Sequence, residues 1–397
     1  MNLQPICNIG TLGSVSDGKS TLVEKLTGIK TQKYSLEKIR NITIKSGYAN
    51  LKIWLNENQQ YTTVNNSDNS NNLKLVNHIS IPDLAGHSSY ITNMLSSISL
   101  LDGAIIVIAV DQPLINKPQL IQHLLAAKLS KMKKIIICMN KIDLVAKNIL
   151  IERKNELDIL LKKYEIKPFT IIPTCFSKNL GINYVVNAIM QLFNPEEYLE
   201  RTNETPIFVI NRTFDINKPG TNWDEVNGGV LGGTLLTGKL KVGDDIEIRP
   251  GITEPFITKI LSIKTEDTDL DEVIPGGLIG IKTNLDPFYC KNDKLIGNVL
   301  GLVGQLPNMY NEININIQLI DLYDQTMKWI PKIDDLITFQ IGTRICTSKL
   351  INIDNSLNKY KFSLNKLTCI SNNQHIIICK NFDNILKIVG ESIFTNE

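Results

Sequence analysis

Over the first half of the chain, short apolar runs alternate with amphipathic stretches. Residues 6–10, 78–82, 104–110, 135–140 and 170–173 are nearly continuous in Ile, Val, Leu and other apolar residues. That is the pattern of strands buried on both faces, as in a parallel sheet. Between them, residues 20–26, 88–101, 118–131, 150–164 and 182–193 repeat apolar positions at helical spacing. The alternation predicts a mostly parallel sheet with helices on both faces. The pattern changes after residue 194. Pro195-Glu196-Glu197 and the stretch 201–206 read as a linker, and from Ile207 onward strand-like runs are separated by Gly, Pro, Asn and Asp turns. Asn227-Gly228-Gly229, Val242-Gly243-Asp244-Asp245 and Pro275-Gly276-Gly277 are such turns, and no long helical pattern interrupts them. This is an all-β signature, and 301–307 is a seam between two barrels. The expected organisation is an α/β domain over 1–200, a β-barrel over 201–300 and a second β-barrel over 301–397.

A chain of 397 residues is long enough for two or three cores. Its 42 basic and 40 acidic residues give a net charge of +2, so any nucleic-acid contact needs a local basic face. The longest apolar stretch, around 100–110, is broken by Asp102, and the N-terminus has no signal-peptide pattern. The seven cysteines are scattered with no CxxC pair, which argues against a disulfide framework or a zinc site. No membrane association is expected. Asparagine, about one residue in ten, is read as a chain-wide bias. Residues 56–72 are expected to form a solvated, poorly ordered loop.

Three short motifs carry chemistry. Gly13-Ser14-Val15-Ser16-Asp17-Gly18-Lys19-Ser20-Thr21 fits G-x-x-x-x-G-K-[ST], after a strand and before a helix. Its backbone N–H groups can cradle phosphates, Lys19 can reach them, and Ser20 can place a hydroxyl on Mg²⁺. Asp83-Leu84-Ala85-Gly86-His87 follows a strand; the acid can hold Mg²⁺ through water and the Gly86 N–H can meet a γ-phosphate. Asn140-Lys141-Ile142-Asp143 follows another, and a carboxylate there accepts both N–H donors of guanine, which adenine lacks. Each of the last two alone is an ordinary surface turn. Together and in this order, each just past a strand, the three indicate a P-loop GTPase domain.

Further stretches carry a more specific resemblance. They are Asn8 to Gly13, Arg40 to Asn50, Phe214-Asp215-Ile216-Asn217-Lys218-Pro219-Gly220, Gly228 to Gly233, Leu240 to Asp244, Ile248 to Gly251 and Pro275 to Gly280. The chain resembles the gamma subunit of eukaryotic and archaeal translation initiation factor 2, within the elongation factor Tu-like translational GTPases. The resemblance thins after about residue 320. It implies a G domain and two β-barrels, GTP/GDP and Mg²⁺ as ligands, and a cytoplasmic carrier of methionylated initiator tRNA to the small ribosomal subunit. It also implies alpha and beta partner subunits, a nucleotide-exchange factor, and slow hydrolysis quickened by a GTPase-activating factor.

By the same resemblance, Thr43 is the switch threonine that closes on Mg²⁺, and His87 positions the attacking water beside Gly86. Lys141 packs over the guanine plane, and Thr174-Cys175, followed by Phe176, occupies the weaker guanine loop. Asn41 and Tyr48 line the pocket for the aminoacylated tRNA end. Read without the family, His87 is a surface histidine and Tyr48 a core aromatic.

Three departures from the family pattern stand out. The Asn-rich loop 56–72 replaces a cysteine-bearing knuckle, so no zinc is expected. Ser14 and Asp17 replace histidines in the phosphate loop. A carboxylate there repels phosphate unless a cation screens it, so Asp17→His is expected to tighten GTP binding. Ala85 replaces a proline, which frees the switch backbone. Two other functions share many of these features: an elongation-type or selenocysteine-type tRNA-delivering GTPase, and a hydrolysis-silent scaffold subunit.

Overall fold

The computed structural model describes residues 4–31, 47–63, 73–84, 91–115, 117–193, 197, 200–218, 220–320, 329–383 and 385–395. They pack as two compact units, Gln4–Tyr198 and Leu199–Glu397.

The first unit is built on seven strands: β1 (Ile9–Leu12), β2 (Gly47–Leu55), β3 (Tyr61–Thr62), β4 (Lys74–Asp83), β5 (Gly103–Ala109), β6 (Lys134–Asn140) and β7 (Thr170–Pro173). They lie in the order β3-β2-β4-β1-β5-β6-β7. Pairings from β4 through β7 are parallel, and only β2 runs antiparallel to its neighbours β3 and β4. All seven residues of β5 are buried, as its unbroken Ile/Val/Ala run requires of a central parallel strand. The described helices are α1 (Lys19–Thr27), α2 (Ile91–Ile98), α3 (Pro118–Leu129), α4 (Lys147–Lys163) and α5 (Ile182–Leu192). Helix α1 stops at Gly28, whose φ of 73° lets its N–H turn back to Glu24 O. Leu22, Val23 and Leu26 of α1, with Val185 and Ile189 of α5, pack on Ile9, Ile105, Val107, Ile136 and Cys138 of the sheet.

Register fixes where the strands end. Thr11 pairs with Asp83, Leu12 with Ile106, Ala109 with Asn140 and Met139 with Pro173. The carboxyl ends of five strands therefore lie along one edge of the sheet, where open α/β sheets hold ligands.

The polar segment after β2 departs from its expected disorder at its start. Asn56 Oδ1 accepts the Gln60 N–H at 2.8 Å and Asn56 O accepts the Gln59 N–H at 3.0 Å. An asparagine closing its own turn in this way lets Tyr61 and Thr62 return to pair with Leu55 and Trp54. Residues 64–72 lie outside the described set.

In the second unit the strands are β8 (Ile207–Phe214), β9 (Val230–Thr237), β10 (Leu240–Lys241), β11 (Asp245–Arg249), β12 (Phe256–Thr265), β13 (Thr268–Leu270), β14 (Glu272–Val273), β15 (Ile279–Thr283) and β16 (Val299–Leu302). Seven of them form one sheet in the order β11-β16-β8-β9-β15-β12-β13, and a further β11–β12 pairing closes it into a barrel. At Gly233 a side chain would stand 1.9 Å from Val209 O, so the close β8–β9 approach there needs glycine. The remaining strands are β17 (Met309–Ile315), β18 (Gln318–Leu319), β19 (Leu336–Ile341), β20 (Arg344–Asp354), β21 (Lys359–Cys369), β22 (His375–Phe382) and β23 (Ile385–Ile393). They form a second curled antiparallel sheet, ordered β17-β21-β20-β19-β22-β23-β18. Its core centres on Phe339 and Phe362, whose rings meet edge to face at 4.8 Å.

Polar contacts tie the first of these sheets to the segment that leads into the second, and to the second itself. Buried Glu247 accepts Arg249 Nε at 2.6 Å and the Gly304 N–H at 3.0 Å. Arg249 Nη1 donates to Leu306 O at 3.0 Å and Pro307 O at 3.3 Å. Thr343 Oγ1 donates to Ile210 O at 3.1 Å, so the second sheet is also fastened to β8.

Candidate nucleotide site

The loop between β1 and α1 is bent by three left-handed residues: Gly13 (φ 138°), Ser16 (φ 64°) and Gly18 (φ 105°). Such alternation turns successive N–H groups toward one side and makes an anion-sized concavity. A side chain at Gly13 would stand 2.2 Å from Val107 O, and one at Gly18 2.4 Å from Asn140 Nδ2. Both glycines are therefore dictated by conformation and by space. Gly18 is the N-cap of α1 and offers no capping side chain, and no acidic residue sits in the first turn. The helix end is left to an outside anion.

Lys19 is almost wholly buried and its Nζ donates to Gly13 O at 2.9 Å and Ser14 O at 2.8 Å. Burial lowers the pKa of this ammonium, opposed by the charges of Asp83 and Asp17. Asp17 is buried too, and its carboxylate is turned back into the loop. Oδ2 accepts the Ser14 N–H at 2.8 Å, and Oδ1 stands 3.7 Å from Lys117 Nζ. The expected like-charge repulsion thus meets a cation. Its source is Lys117, a hundred residues away and unmarked by any motif.

Asp83 ends β4 fully buried and accepts three hydroxyl donors. Ser20 Oγ and Thr31 Oγ1 each lie 2.7 Å from Oδ2, and Thr11 Oγ1 lies 3.0 Å from Oδ1. A hydroxyl and a carboxylate in contact are hard oxygen ligands of the kind that suit Mg²⁺. Ser20 and Asp83, two of the three expected metal residues, therefore fit that ion. Thr11 and Thr31 complete the shell around the carboxylate, and no sequence signal marks them. Among the described residues no group of three or more His, Cys, Asp or Glu side chains is placed to hold a metal.

The third motif joins the first through Asn140. Its Nδ2 donates to Asp17 O at 2.9 Å, and its Oδ1 accepts the Phe176 N–H at 3.2 Å. The N–H groups of Thr174 and Cys175 are taken by Met139 O at 2.7 Å and Leu180 O at 3.0 Å. Of the three expected loop residues, Phe176 is the one whose N–H faces the motif. Thr174 turns its hydroxyl inward, to Met139 O at 3.3 Å. Cys175 does something the sequence does not announce: its Sγ donates to Asp143 Oδ1 at 3.1 Å. Lys178 Nζ lies 3.1 Å from Asp143 Oδ2. The thiol contact foremost, then Lys178, holds the Asp143 carboxyl below its usual range. Lys141 adopts φ 63° and sets its Nζ 3.1 Å from Asp111 Oδ2.

Tyr48 lies on β2, paired with Pro82 beside the Gly47–Asp83 pair. It is 47% exposed, so it is not a core aromatic. The other expected residues of the switches and the tRNA pocket (Asn41, Thr43, Gly86 and His87), and also Ala85, lie outside the described residues.

The family model of the elongation factor Tu GTP binding domain matches residues 4–195, and that of elongation factor Tu domain 2 matches residues 228–300. The chain is 35% identical to the eukaryotic translation initiation factor 2 subunit gamma of Encephalitozoon cuniculi, with 98% of this chain and 92% of that protein aligned. It is 38% identical to the translation initiation factor 2 subunit gamma of Pyrococcus furiosus, with 79% of this chain and 78% of the relative aligned. Among solved structures, it matches translation elongation factor SELB from Methanococcus maripaludis, in complex with the GTP analogue GppNHp, at a TM-score of 0.75. That match has 19% identity and covers 100% of this chain and 80% of the other. Bacterial selenocysteine-specific elongation factor EF-Sec matches at a TM-score of 0.74 and 22% identity. There 98% of this chain spans 58% of the solved one. At these identities the two structures speak for the fold.

Proposed function

The chain belongs to the gamma-subunit family of translation initiation factor 2, a family of translational GTPases, and from that premise we propose that it is a GTP-timed carrier of initiator tRNA. In this reading it binds GTP and delivers methionylated initiator tRNA to the small ribosomal subunit in the cytoplasm. It does so as the core of a complex with alpha and beta subunits, and hydrolysis to GDP releases the cargo. The domain division is 1–200, 201–300 and 301–397. No described helix is long and apolar enough to cross a membrane.

One observation carries the proposal: the three motifs form a single connected site. Ser20 meets Asp83 at 2.7 Å and Asn140 meets Asp17 O at 2.9 Å. Phosphate loop, metal-side carboxylate and base-reading motif therefore share one sheet edge. The roles follow from chemistry. The positive-φ loop and the uncapped α1 terminus receive phosphate oxygens, contributed to by Gly13, Ser16, Asp17, Gly18 and Thr21. Lys19 leaves its loop carbonyls for the β/γ-phosphates. Ser20 and Thr43, with Asp83 through water, would hold Mg²⁺, which when bound would supply neutralisation of phosphate charge. Asp143 accepts guanine N–H groups, positioned by Cys175 and Lys178, while Asn140 fixes the loop beneath. Gly86 and His87 act at the γ-phosphate, and Tyr48 with Asn41 receives the tRNA end, where an exposed aromatic can stack on a base.

Filter binding tests the carrier reading, using initiator and elongator tRNA, each with GppNHp or GDP, in the presence of the alpha subunit. Tight binding of methionylated initiator tRNA alone, and only with GppNHp, is the expected result. Equal or absent binding in both nucleotide states would sink the carrier reading and favour the scaffold.

A further inference from the structure

We propose that Lys117 is a positioning residue of the phosphate loop, a second cation that neutralises Asp17 and so sets the affinity for nucleoside polyphosphates. The proposal rests on the nucleotide-binding reading of that loop.

Asp17 is an unusual tenant of such a site. Its carboxylate side chain is 4% exposed, and it lies inside a loop whose concave side is shaped for anions. The Ser14 N–H satisfies one oxygen, and the other faces Lys117, itself only 14% exposed at the side chain. The Lys117 ammonium is held from a second direction by Ala109 O at 2.8 Å, at the end of β5. It is also the N-cap residue of α3 and makes no side-chain cap to its own helix. Its side chain is committed to the sheet edge and the loop. Among the described residues, the charged groups around Asp17 are Lys19 of α1, Lys117 ahead of α3 and, beyond Lys19, Asp83 of β4.

The charge count explains the arrangement. Lys19 and Lys117 supply two positive charges and Asp17 one negative, which leaves a net +1 at the loop. Without Lys117 the loop is neutral: the desolvated Asp17 carboxylate beside the phosphate cradle loses its nearest cation and draws on the charge of Lys19, which the phosphates also need. A buried charge stripped of its partner is the costly case, whereas removing both partners is tolerated. Phosphate brought against that carboxylate adds repulsion that a ligand without phosphate does not feel. GTP, with one charge more than GDP, feels it most.

The test is titration of the full chain with fluorescent GDP and GppNHp at fixed Mg²⁺ and salt, in K117M, K117R, D17N and the D17N/K117M double variant. Asparagine keeps an oxygen acceptor for the Ser14 N–H. Expected are about tenfold or greater weakening in K117M, larger for GppNHp than for GDP, and recovery in K117R. Most of the loss is also recovered in the double variant, and D17N alone binds more tightly than the native chain. Unchanged affinity in K117M, or a double variant as weak as K117M, overturns the proposal. If K117M does not fold, D17N decides: affinity equal to or below native overturns it. If the native chain binds neither nucleotide, the functional reading fails and this one with it.

Discussion

Asn140 Nδ2 donates to the backbone carbonyl of Asp17 at 2.9 Å, across 123 positions of sequence. The bond ties the end of β6 to the turn that leads into α1. The residue that anchors the base-reading motif therefore also holds the phosphate loop in shape. Since Asn140 is buried, removing its amide leaves the Asp17 carbonyl and the Phe176 N–H without this partner, at about 1–3 kcal/mol each. Asn140→Ala is expected to lower the melting temperature of the nucleotide-free protein and to weaken GDP by an order of magnitude or more. Calorimetry with a GDP titration checks both; an unchanged melt with full affinity would show that the two motifs are independent.

Asp143 offers two acceptor oxygens, the complement of guanine's N1–H and N2–H₂. An amide in its place offers one acceptor and one donor, which matches xanthine. Asp143→Asn is expected to weaken GDP by about a hundredfold and to gain xanthosine diphosphate. Competition between the two diphosphates reads the switch directly.

Acid sensitivity follows from the same carboxylate. Asp143 is held below its usual range by the Cys175 thiol and then by Lys178. A depressed folded-state pKa means that its contribution is complete above the unfolded value, near 3.9, and is lost as pH falls through the folded one. The unfolding midpoint should therefore drop as pH falls below about 4. Cys175→Ala should lessen that drop. Denaturant melts at stepped pH on both proteins test it, and parallel profiles would count against the thiol contact.

Gly18 combines a left-handed backbone with a Cβ position 2.4 Å from Asn140 Nδ2. Gly18→Ala should cost about 1–3 kcal/mol in strain and displacement and abolish measurable nucleotide binding. Urea unfolding and a GDP titration measure the two effects separately.

Glu247 and Arg249 clasp the first sheet of the second unit to the segment 304–307 that leads into its second sheet. Arg249→Ala leaves the buried Glu247 carboxylate with the Gly304 N–H but without its cation, and should destabilise that unit by about 2–4 kcal/mol. Unfolding followed by the fluorescence of Trp329, which sits in the last core, would report whether the second sheet loosens. A transition coincident with the native protein's would remove the clasp from the account.

Local spacing made the architecture legible. Unbroken Ile/Val runs demanded buried strands, helical spacing marked the segments between them, and Gly-Lys-Ser after a strand named the phosphate loop, because those constraints act within about ten residues. Antiparallel β2 and the ordered turn at Asn56 were less visible: strand direction depends on which neighbour is met, and a polar run conceals a side chain that closes its own turn.

The sequence by itself determined that three motifs stand at strand ends and what each can touch. Only the tertiary structure decided which groups complete them. Lys117 reaches Asp17, Thr11 and Thr31 surround Asp83, and Cys175 holds Asp143. The physical reason is that a charged group, deeply buried for Asp17 and Asp83 and at the surface for Asp143, takes whatever donor the packed sheet edge brings within about 3–4 Å. That donor is chosen by strand register and helix placement, and no spacing along the chain records it.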